Sequence, residues 1–404
     1  MEYDVVVVGG GPIGAVAART AAEAGARTLL VEKSDGSGEP ARCAGLLSSR
    51  ALPTLGASDS SILHEIRGGL IHSPSGARLS LRSNEVKAVV IDRPSLDREL
   101  LALARDAGVE VRTQTRVISV KTGSILLDID GVEDTVHAGM IIGADGPRSL
   151  VASSFSLSPP EEMLIASQAT VDGPARMEDE VDIFFGRSIA PTFFAWAIPA
   201  HGQEVRVGLA APIGTDTSNL LSRLLDRQSF GQEVARIHGV IPISLAPQTV
   251  GDGVLLVGDA AGQVKPSSGG GLYTGGVCAR IAGQIAANAA VAGKTTRSDL
   301  AAYERRFKQE IGEELRFGRS ARSLLSDIDD EGIDAVLAVL DQPEIRELIV
   351  RHGDIDYPSR LAHAFASRRG LWPAFRPLIS ILGGMDKLSE IARMTLAGNG
   401  DAYV

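Results

Sequence analysis

The sequence predicts an α/β protein in which a Rossmann-like nucleotide-binding domain is interrupted by an antiparallel sheet and followed by a helical region. Three observations predict this fold. A glycine-rich turn joins a buried strand to an alanine-rich helix near residue 10. Short β-prone runs separated by loop residues fill residues 160–245, and helical periodicity dominates from residue 298. We assign residues 1–70, 92–158 and 246–297 to the nucleotide-binding domain, 71–91 and 159–245 to a substrate-binding sheet domain, and 298–404 to a C-terminal helical region.

Local patterns predict the individual elements. Residues 5–8 form a continuous apolar run, which is typical of a parallel strand buried on both faces. The alanine-rich residues 14–24 predict a helix, and residues 28–31 predict the strand that completes a βαβ unit. The same reasoning predicts helices at 94–107 and 275–292, and strands at 109–116, 125–129, 140–142, 181–185, 193–198, 205–209 and 254–257.

Composition and charge exclude several classes of protein. The 404 residues are 44% hydrophobic and 22% charged, which is typical of a globular chain, and the net charge of −10 disfavours nucleic-acid binding. Two distant cysteines, Cys43 and Cys278, provide neither a disulfide framework nor the spacing of a metal site. The first residues show no signal-peptide pattern, and no apolar run is long enough to span a membrane. We therefore expect a cytoplasmic protein that contacts the inner face of the cell membrane at most peripherally.

The glycine-rich turn at residues 9–14 predicts a dinucleotide site. Gly9, Gly11 and Gly14 permit a tight turn, close approach of a pyrophosphate and close packing of helix on strand. Ile13 lies in the same turn, at the helix N-terminus that would face the phosphates. Glu32, 18 residues after Gly14, ends the second strand, where a carboxylate accepts the hydroxyls of an adenosine ribose.

A second glycine-rich segment predicts FAD rather than NAD. Residues 251–276 predict a strand that ends at Gly258-Asp259, then a loop and a helix that begins near Gly270, Gly271 and Leu272. The Asp259 carboxylate can accept a ribityl hydroxyl, and the backbone N–H groups of the helix start can face the pyrimidine edge of a flavin. Asp259 taken alone could instead cap a helix.

Residues 143–149, GADGPRS, resemble the Asp-Gly motif of flavoprotein hydroxylases of the para-hydroxybenzoate hydroxylase type. The resemblance implies that superfamily's FAD-binding fold and a flavin contact at Arg93. A surface ion pair between Arg93 and Asp97 is the alternative.

The later motifs are similar to those of the geranylgeranyl reductase family. They are residues 258–266 (GDAAGQVKP) followed by three glycines, residues 42–46 (RCAGL), and residues 194–199 (FAWAIP) followed by Gly208. Ile198 and Ala210 depart from the family pattern, where an aromatic residue and a glycine stand. The hydroxylases carry a histidine and a Gly-x-Asn where this chain has Gly262 and Leu272-Tyr273, which favours a reductase. The resemblance extends to about residue 320.

The resemblance implies an FAD-dependent reductase of the C=C bonds in the geranylgeranyl chains of digeranylgeranylglycerophospholipids, which produces saturated archaeal ether lipids. It implies a prenylated lipid substrate, an electron donor such as reduced ferredoxin or NAD(P)H, and no nucleic-acid partner. A flavin monooxygenase or halogenase of the same superfamily is the alternative, and a binding flavoprotein without turnover is a third hypothesis. The residues implied at the cofactor are Gly9, Gly11, Ile13, Gly14, Glu32, Arg42, Cys43, Ala44, Gly45, Arg93, Val117, Asp259, Gly270, Gly271 and Leu272.

Substrate and catalytic residues follow from the same resemblance. Cys43 is the predicted catalytic residue, which would polarise the flavin or supply a proton; packing under the ring is the alternative. Phe194, Trp196 and Pro199 are predicted to contact substrate. Phe184, Phe185 and Phe193 would extend an apolar wall, or these aromatic residues are simply core. A lipid-facing surface or an ordinary solvated helix could be formed by the apolar residues 371–382 and the C-terminal arginines Arg346, Arg351, Arg360, Arg368 and Arg369.

Overall fold

The computed structural model describes residues 2–41, 43–228 and 230–368. The strands in these residues are β1 Tyr3–Val8, β2 Thr28–Val31, β3 Leu46–Ser48, β4 Ile62–Ile66, β5 Gly68–His72, β6 Arg78–Arg82, β7 Ala88–Ile91, β8 Glu110–Arg112, β9 Thr115–Lys121, β10 Ser124–Ile129, β11 Val132–Gly143, β12 Met163–Asp172, β13 Glu180–Phe184, β14 Ala195–Pro199, β15 Glu204–Pro212, β16 Gln232–Pro242, β17 Val250–Gly251 and β18 Val254–Leu256. The α-helices are α1 Pro12–Glu23, α2 Ala51–Leu55, α3 Arg93–Asp106, α4 Leu150–Ser154, α5 Thr217–Gln228, α6 Leu272–Ala292, α7 Arg297–Leu300, α8 Ala302–Asp327, α9 Asp330–Leu340, α10 Pro343–His352 and α11 Ser359–Ala366.

The first sheet brings the two predicted nucleotide-binding segments side by side. Its strand order is β17-β18-β11-β1-β2-β8, and β1 pairs in parallel with both β2 and β11, while β18 pairs in parallel with β11. Because parallel strands all end at one edge, the turns after β1 and β18 share that edge. Helices α1 and α6 pack closely: a Cβ on Gly283 would lie 2.5 Å from the Ala17 carbonyl oxygen. The predicted Rossmann-like domain is confirmed.

The second sheet has seven strands in the order β16-β12-β15-β14-β13-β5-β6. It is antiparallel, as predicted, except for the parallel pair of β13 with β5. Residues 88–91, which the sequence placed in this sheet domain, pair instead with β3 and β4 in a small third sheet. On this pairing, we propose that the sheet domain comprises residues 68–82 and 163–242.

Helix α5 lies within the region where the sequence predicts only strands. Its Leu221 and Leu224 are buried against one face of the seven-stranded sheet, which explains why a short amphipathic helix forms there. The opposite face of the sheet packs against the third sheet and carries the cluster of Trp196, Ile198 and Val181. This second face is the one that meets the nucleotide-binding domain.

Helices α7 to α11 confirm the predicted helical character of the chain between residues 298 and 366. Pro343 is the first residue of α10 and Pro358 caps α11, so each of these prolines stands at the start of a helix. The arginine at 369 and the apolar residues 371–382 lie outside the described residues. No helix in the described part of the chain is long and apolar enough to cross a membrane.

Candidate cofactor and substrate site

The turn after β1 has room only for glycine at two positions. Gly9 has a φ of +107°, and a Cβ there would lie 2.4 Å from the Ala144 carbonyl oxygen. A Cβ on Gly14 would lie 1.9 Å from the Gly9 carbonyl oxygen, whereas one on Gly11 would meet no atom within 4 Å. Gly11 caps α1 without any side-chain hydrogen bond. Open space before an uncapped helix N-terminus fits a pyrophosphate.

Glu32 lies directly after β2 and faces this turn. Its carboxylate accepts hydrogen bonds from the backbone N–H of Gly10 at 2.6 Å and of Ser34 at 2.8 Å. Carboxylate oxygens can accept further hydrogen bonds, so this position suits the ribose hydroxyls that the sequence assigned to it. Val117 lies on β9, whose first residue Thr115 donates its N–H to the Glu32 carbonyl at 3.0 Å.

Ile13 joins the two glycine-rich segments. Its side chain lies against Gly258 and Gly275, where a Cβ would come within 3.0 Å and 2.8 Å of Ile13 carbons. The structure thus brings the turn at residues 9–14 and the start of α6 into direct contact, although some 250 residues separate them. The two strand-to-helix turns are therefore adjacent, as a cofactor that spans both of them would require.

Asp259 stands in the short 3₁₀ turn after β18, beside Gly271. Gly271, and not Asp259, is the N-cap residue of α6. No group in the described residues donates a hydrogen bond to its carboxylate. Burial raises the pKa of Asp259 to about 6, and the positive charge of Arg93 opposes that rise. An unpaired carboxylate at this place is suited to accept a hydroxyl of the cofactor.

The raised pKa of Asp259 predicts that the stability of the apoprotein depends on pH. The folded-state pKa of about 6 exceeds the ordinary aspartate value of 3.8, so the folded state favours the protonated form. Protonated Asp259 therefore adds to the free energy of unfolding below pH 4, and this contribution is lost as the pH rises through 6. We expect Asp259→Asn to raise the free energy of unfolding of the apoprotein by roughly 2 kcal/mol at pH 8 and to change it little at pH 4. Urea unfolding at both pH values measures this, and Asp226→Asn on the exposed side of α5 is the control.

Arg93 and Asp97 form a bidentate ion pair across one turn of α3. The distances are 3.0 and 3.1 Å, and the side chains are only 14% and 13% exposed. Burial alone would lower the pKa of Arg93, but Cys43 and Asp97 outweigh this effect and raise it. The pair is therefore largely buried rather than a surface pair, and it faces both Cys43 and Asp259.

The Cys43 loop is held by side chains of the seven-stranded sheet. Arg206 on β15 donates to the Ala44 and Ile91 carbonyls, each at 3.1 Å, and Gln168 on β12 donates to the Cys43 carbonyl at 3.3 Å. Gly45 has no room for a side chain, because a Cβ would lie 2.2 Å from the Arg206 guanidinium. Burial lowers the pKa of Arg206, which indicates a charge with incomplete compensation.

Arg206 and Gln168 were not predicted from the sequence. The signal that could have found Gln168 is its polar side chain on the same sheet face as Trp196. Gln168 and Trp196 both pair with Gly208, which lies on the strand between them. Arg42 was predicted at this loop and lies outside the described residues.

Trp196 and Phe194 form an aromatic wall beside the Cys43 loop. The indole N–H of Trp196 donates to the Gln168 side-chain oxygen at 3.0 Å. Phe194 stacks on Phe193 at 4.3 Å and meets Trp196 edge-on at 6.2 Å. Pro199 is buried at the end of β14. Phe184 does not belong to this wall: strand alternation points it to the opposite face, where it stacks on His72.

Trp196 explains the glycine that follows it in the motif. A Cβ on Gly208 would lie 2.5 Å from the indole ring. We expect Gly208→Ala to displace the ring, break its hydrogen bond to Gln168, and lower the free energy of unfolding by about 1–3 kcal/mol. Urea unfolding measures the loss, and tryptophan emission in a Trp372→Phe background reports the displaced ring. Gly239→Ala in the same sheet is the control, because a Cβ there would meet no atom within 4 Å.

An apolar cleft of about 230 Å³ lies beside the Cys43 loop. It begins at Leu46, next to Gly45, and runs between the edge of the seven-stranded sheet and α10. Three cationic side chains, Arg67, Arg82 and Lys87, line it in part. Its apolar lining residues are Leu46, Ile66, Ile71, Leu81, Ala88, Val181, Ile183, Ile349, Val350 and Ile355.

Similarity to known proteins agrees with this geometry. A family model described as an FAD binding domain matches residues 2–185. The chain is 32% identical over 381 residues to digeranylgeranylglycerophospholipid reductase 2 of Methanothermobacter thermautotrophicus, which covers 89% of this chain and 98% of that protein. It is 34% identical over 372 residues to digeranylgeranylglycerophospholipid reductase 2 of Methanopyrus kandleri, with 86% and 93% covered.

Solved structures show the same architecture. A geranylgeranyl bacteriochlorophyll reductase-like protein from Thermoplasma acidophilum superposes with a TM-score of 0.81 at 26% identity, covering 93% of this chain and 99% of that one. The p-nitrophenol 4-monooxygenase of Pseudomonas putida superposes with a TM-score of 0.67 at 17% identity, covering 86% and 96%. The second likeness shows the fold alone.

Proposed function

Because the chain belongs to the FAD-dependent digeranylgeranylglycerophospholipid reductase family, we propose that it reduces the C=C bonds in the geranylgeranyl chains of digeranylgeranylglycerophospholipids. The observation that carries this proposal is the apolar cleft that begins at Leu46, next to the Cys43 loop, and shares Val181 and Ile183 with the cluster that contains Trp196. The similarity to the reductases extends over nearly their whole length. The monooxygenase and halogenase neighbours are less than 20% identical and support the shared fold only.

The chain's own residues would hold FAD at both ends. The uncapped N-terminus of α1 would bind the pyrophosphate, and Glu32 would bind the adenosine ribose. Asp259 would accept a ribityl hydroxyl, while the N–H groups at Gly270, Gly271 and Leu272 would face the pyrimidine edge. When bound and reduced, FAD supplies a hydride to one alkene carbon.

The protein side of the reaction is to hold the alkene, exclude water and deliver a proton. The apolar cleft would keep the prenyl chain dry, and the indole of Trp196, fixed by Gln168, would orient the reacting double bond. We assign the proton to the Cys43 sulfur, from which it reaches the second alkene carbon while Arg93 and Arg206 stand beside the sulfur. Hydride and proton together add two hydrogens to each double bond.

The lipid head group and the reductant complete the proposal. Arg67, Arg82 and Lys87 would lie near the phosphate of a lipid whose chain occupies the cleft. Reduced ferredoxin or NAD(P)H would return electrons to the flavin. A lipid substrate also implies peripheral contact with the membrane surface.

Anaerobic turnover with a defined lipid tests the function. The purified protein is reduced with dithionite, digeranylgeranylglyceryl phosphate is added, and lipid masses are followed by mass spectrometry. We expect mass increments of about 2 Da per double bond together with reoxidation of the flavin. Unchanged lipid with flavin that remains reduced would contradict the proposal. Oxygen consumption on addition of NADPH and an aromatic substrate would point to the monooxygenase instead.

A further inference from the structure

Residues 353–357, here named the clasp segment, contact the cleft and the cofactor loop at the same time. Gly353 and Ile355 line the cleft. The next two residues, Asp356 and Tyr357, reach the loop after β18 and the first turn of α6. One short segment of the C-terminal helical region therefore contacts both places where ligands would bind.

The attachment to the cofactor loop is a buried ion pair. The Lys265 ammonium donates to the Asp356 carboxylate at 2.7 Å and to the Ile355 carbonyl at 3.1 Å. The side chains are 8% and 0% exposed. Replacing one partner would leave the other charge buried and unpaired, which is strongly unfavourable.

Lys265 also shapes the glycine-rich loop through its own backbone. Its N–H donates to the Gly270 carbonyl at 3.1 Å, and its carbonyl accepts the N–H of Gly269 at 2.9 Å. Its side chain runs so close that a Cβ on Gly270 would lie 3.1 Å from the Lys265 Cε. The position of the Lys265 side chain is thus linked to the position of Gly269 and Gly270.

A second set of contacts keeps the clasp segment in place. The Tyr357 hydroxyl hydrogen-bonds to that of Tyr273 at 2.6 Å, and the guanidinium groups of Arg50 and Arg360 lie 5.4 and 4.6 Å from the centre of the Tyr357 ring. Arg50 forms two hydrogen bonds of 2.8 Å with Asp354. The second carboxylate oxygen of Asp356 is buried and has no hydrogen-bond partner in the described residues. The Arg50 guanidinium lies 3.9 Å from this oxygen and compensates part of its charge.

We propose that Lys265 and Asp356 are positioning residues that couple flavin binding to lipid binding through the clasp segment. The proposal rests on the proposed function for the identity of the lipid in the cleft. A prenyl chain that packs on Ile355 orders the residue next to it, Asp356, and with it Lys265 and the flavin loop. Flavin at Gly270 orders the same residues from the other side, so each ligand strengthens the binding of the other.

FAD affinity without lipid tests the positioning. We expect Lys265→Met and Asp356→Asn each to weaken FAD binding at least about tenfold, because each leaves one unpaired buried group. The double variant Lys265→Met/Asp356→Leu removes both charges, so its unfolding temperature should return near that of the parent. We expect its FAD affinity to stay weak, since Lys265 no longer links the glycine-rich loop to the clasp segment. Full recovery of FAD affinity in the double variant would show that the pair only fills space, and would overturn the proposal.

FAD affinity with a saturated lipid tests the coupling. Diphytanylglyceryl phosphate has no double bond to reduce, so it reports binding alone, and its own binding is measured by equilibrium dialysis. We expect it to tighten FAD binding about fivefold or more in the parent protein and not at all in the double variant. Arg236→Met, which breaks the ion pair with Glu233 on β16, should retain the effect. Lipid that binds without changing FAD affinity would overturn the coupling alone, whereas absence of lipid binding would overturn the proposed function with it.

Discussion

Asp259→Ala protein is expected to purify largely colourless. The carboxylate stands at the carboxyl end of β18 beside Gly271 and has no hydrogen-bond donor in the described residues, so it is free to accept a cofactor hydroxyl. A hydrogen bond to a charged group contributes about 1.5–3 kcal/mol, which corresponds to a loss of FAD affinity of about 10- to 150-fold. The ratio of flavin absorbance to protein absorbance after purification measures it.

Folding must be separated from cofactor loss in this variant. Burial of Asp259 is unfavourable for the apoprotein above pH 6, so its removal should stabilise rather than unfold the empty chain. A colourless protein with an unfolding midpoint at or above that of the parent apoprotein therefore indicates a lost cofactor contact. Asp226→Ala on α5 should keep its flavin. If Asp259→Ala retained a full complement of FAD, the second strand-to-helix turn would not be the flavin site.

The same residue shows why the cofactor half of the site could be predicted from sequence. Gly9, Gly14 and Asp259 belong to local strand–turn–helix patterns, in which steric limits on the backbone dictate the residue type. The positions of these residues in the sequence therefore predict where they lie in the two turns. The strand and helix at either side were recognisable for the same reason, since buried parallel strands and alanine-rich helices have distinct periodicities.

The support of the Cys43 loop could not be predicted in this way. Gln168 reaches a loop 125 residues away in sequence, and Arg206 reaches Ala44 across 162 residues. Such contacts depend on how the seven-stranded sheet docks on the nucleotide-binding domain, which no local pattern contains. The ion pair of Lys265 with Asp356 spans 91 residues and could not be predicted for the same reason. Phe184 was misplaced because adjacent aromatic residues on a strand point to opposite faces.

Cys43→Ala and Cys43→Ser are expected to lose most of the lipid reduction while keeping FAD. If the Cys43 sulfur delivers the proton to the alkene, removing it should slow anaerobic lipid-dependent reoxidation of the flavin by about 10²–10⁴-fold, the usual contribution of a general acid. Serine should not rescue the rate, because a hydroxyl is a much weaker acid than a thiol. Stopped-flow absorbance of the dithionite-reduced protein, mixed with digeranylgeranylglyceryl phosphate, measures the rate, and its visible spectrum before mixing confirms that flavin is bound.

Cys278 provides the matched control for this experiment. It is the chain's other cysteine, it is fully buried in α6, and burial holds the pKa of its thiol well above the usual value, so it stays an inert packing group. Cys278→Ala should therefore leave the rate of lipid reduction near that of the parent. Reduction at the parental rate by Cys43→Ala would assign Cys43 to packing beneath the flavin and leave the proton to solvent. Loss of FAD from the Cys43 variants would instead place the residue in cofactor binding, because the loop between Arg93 and Arg206 would then be needed to retain the flavin.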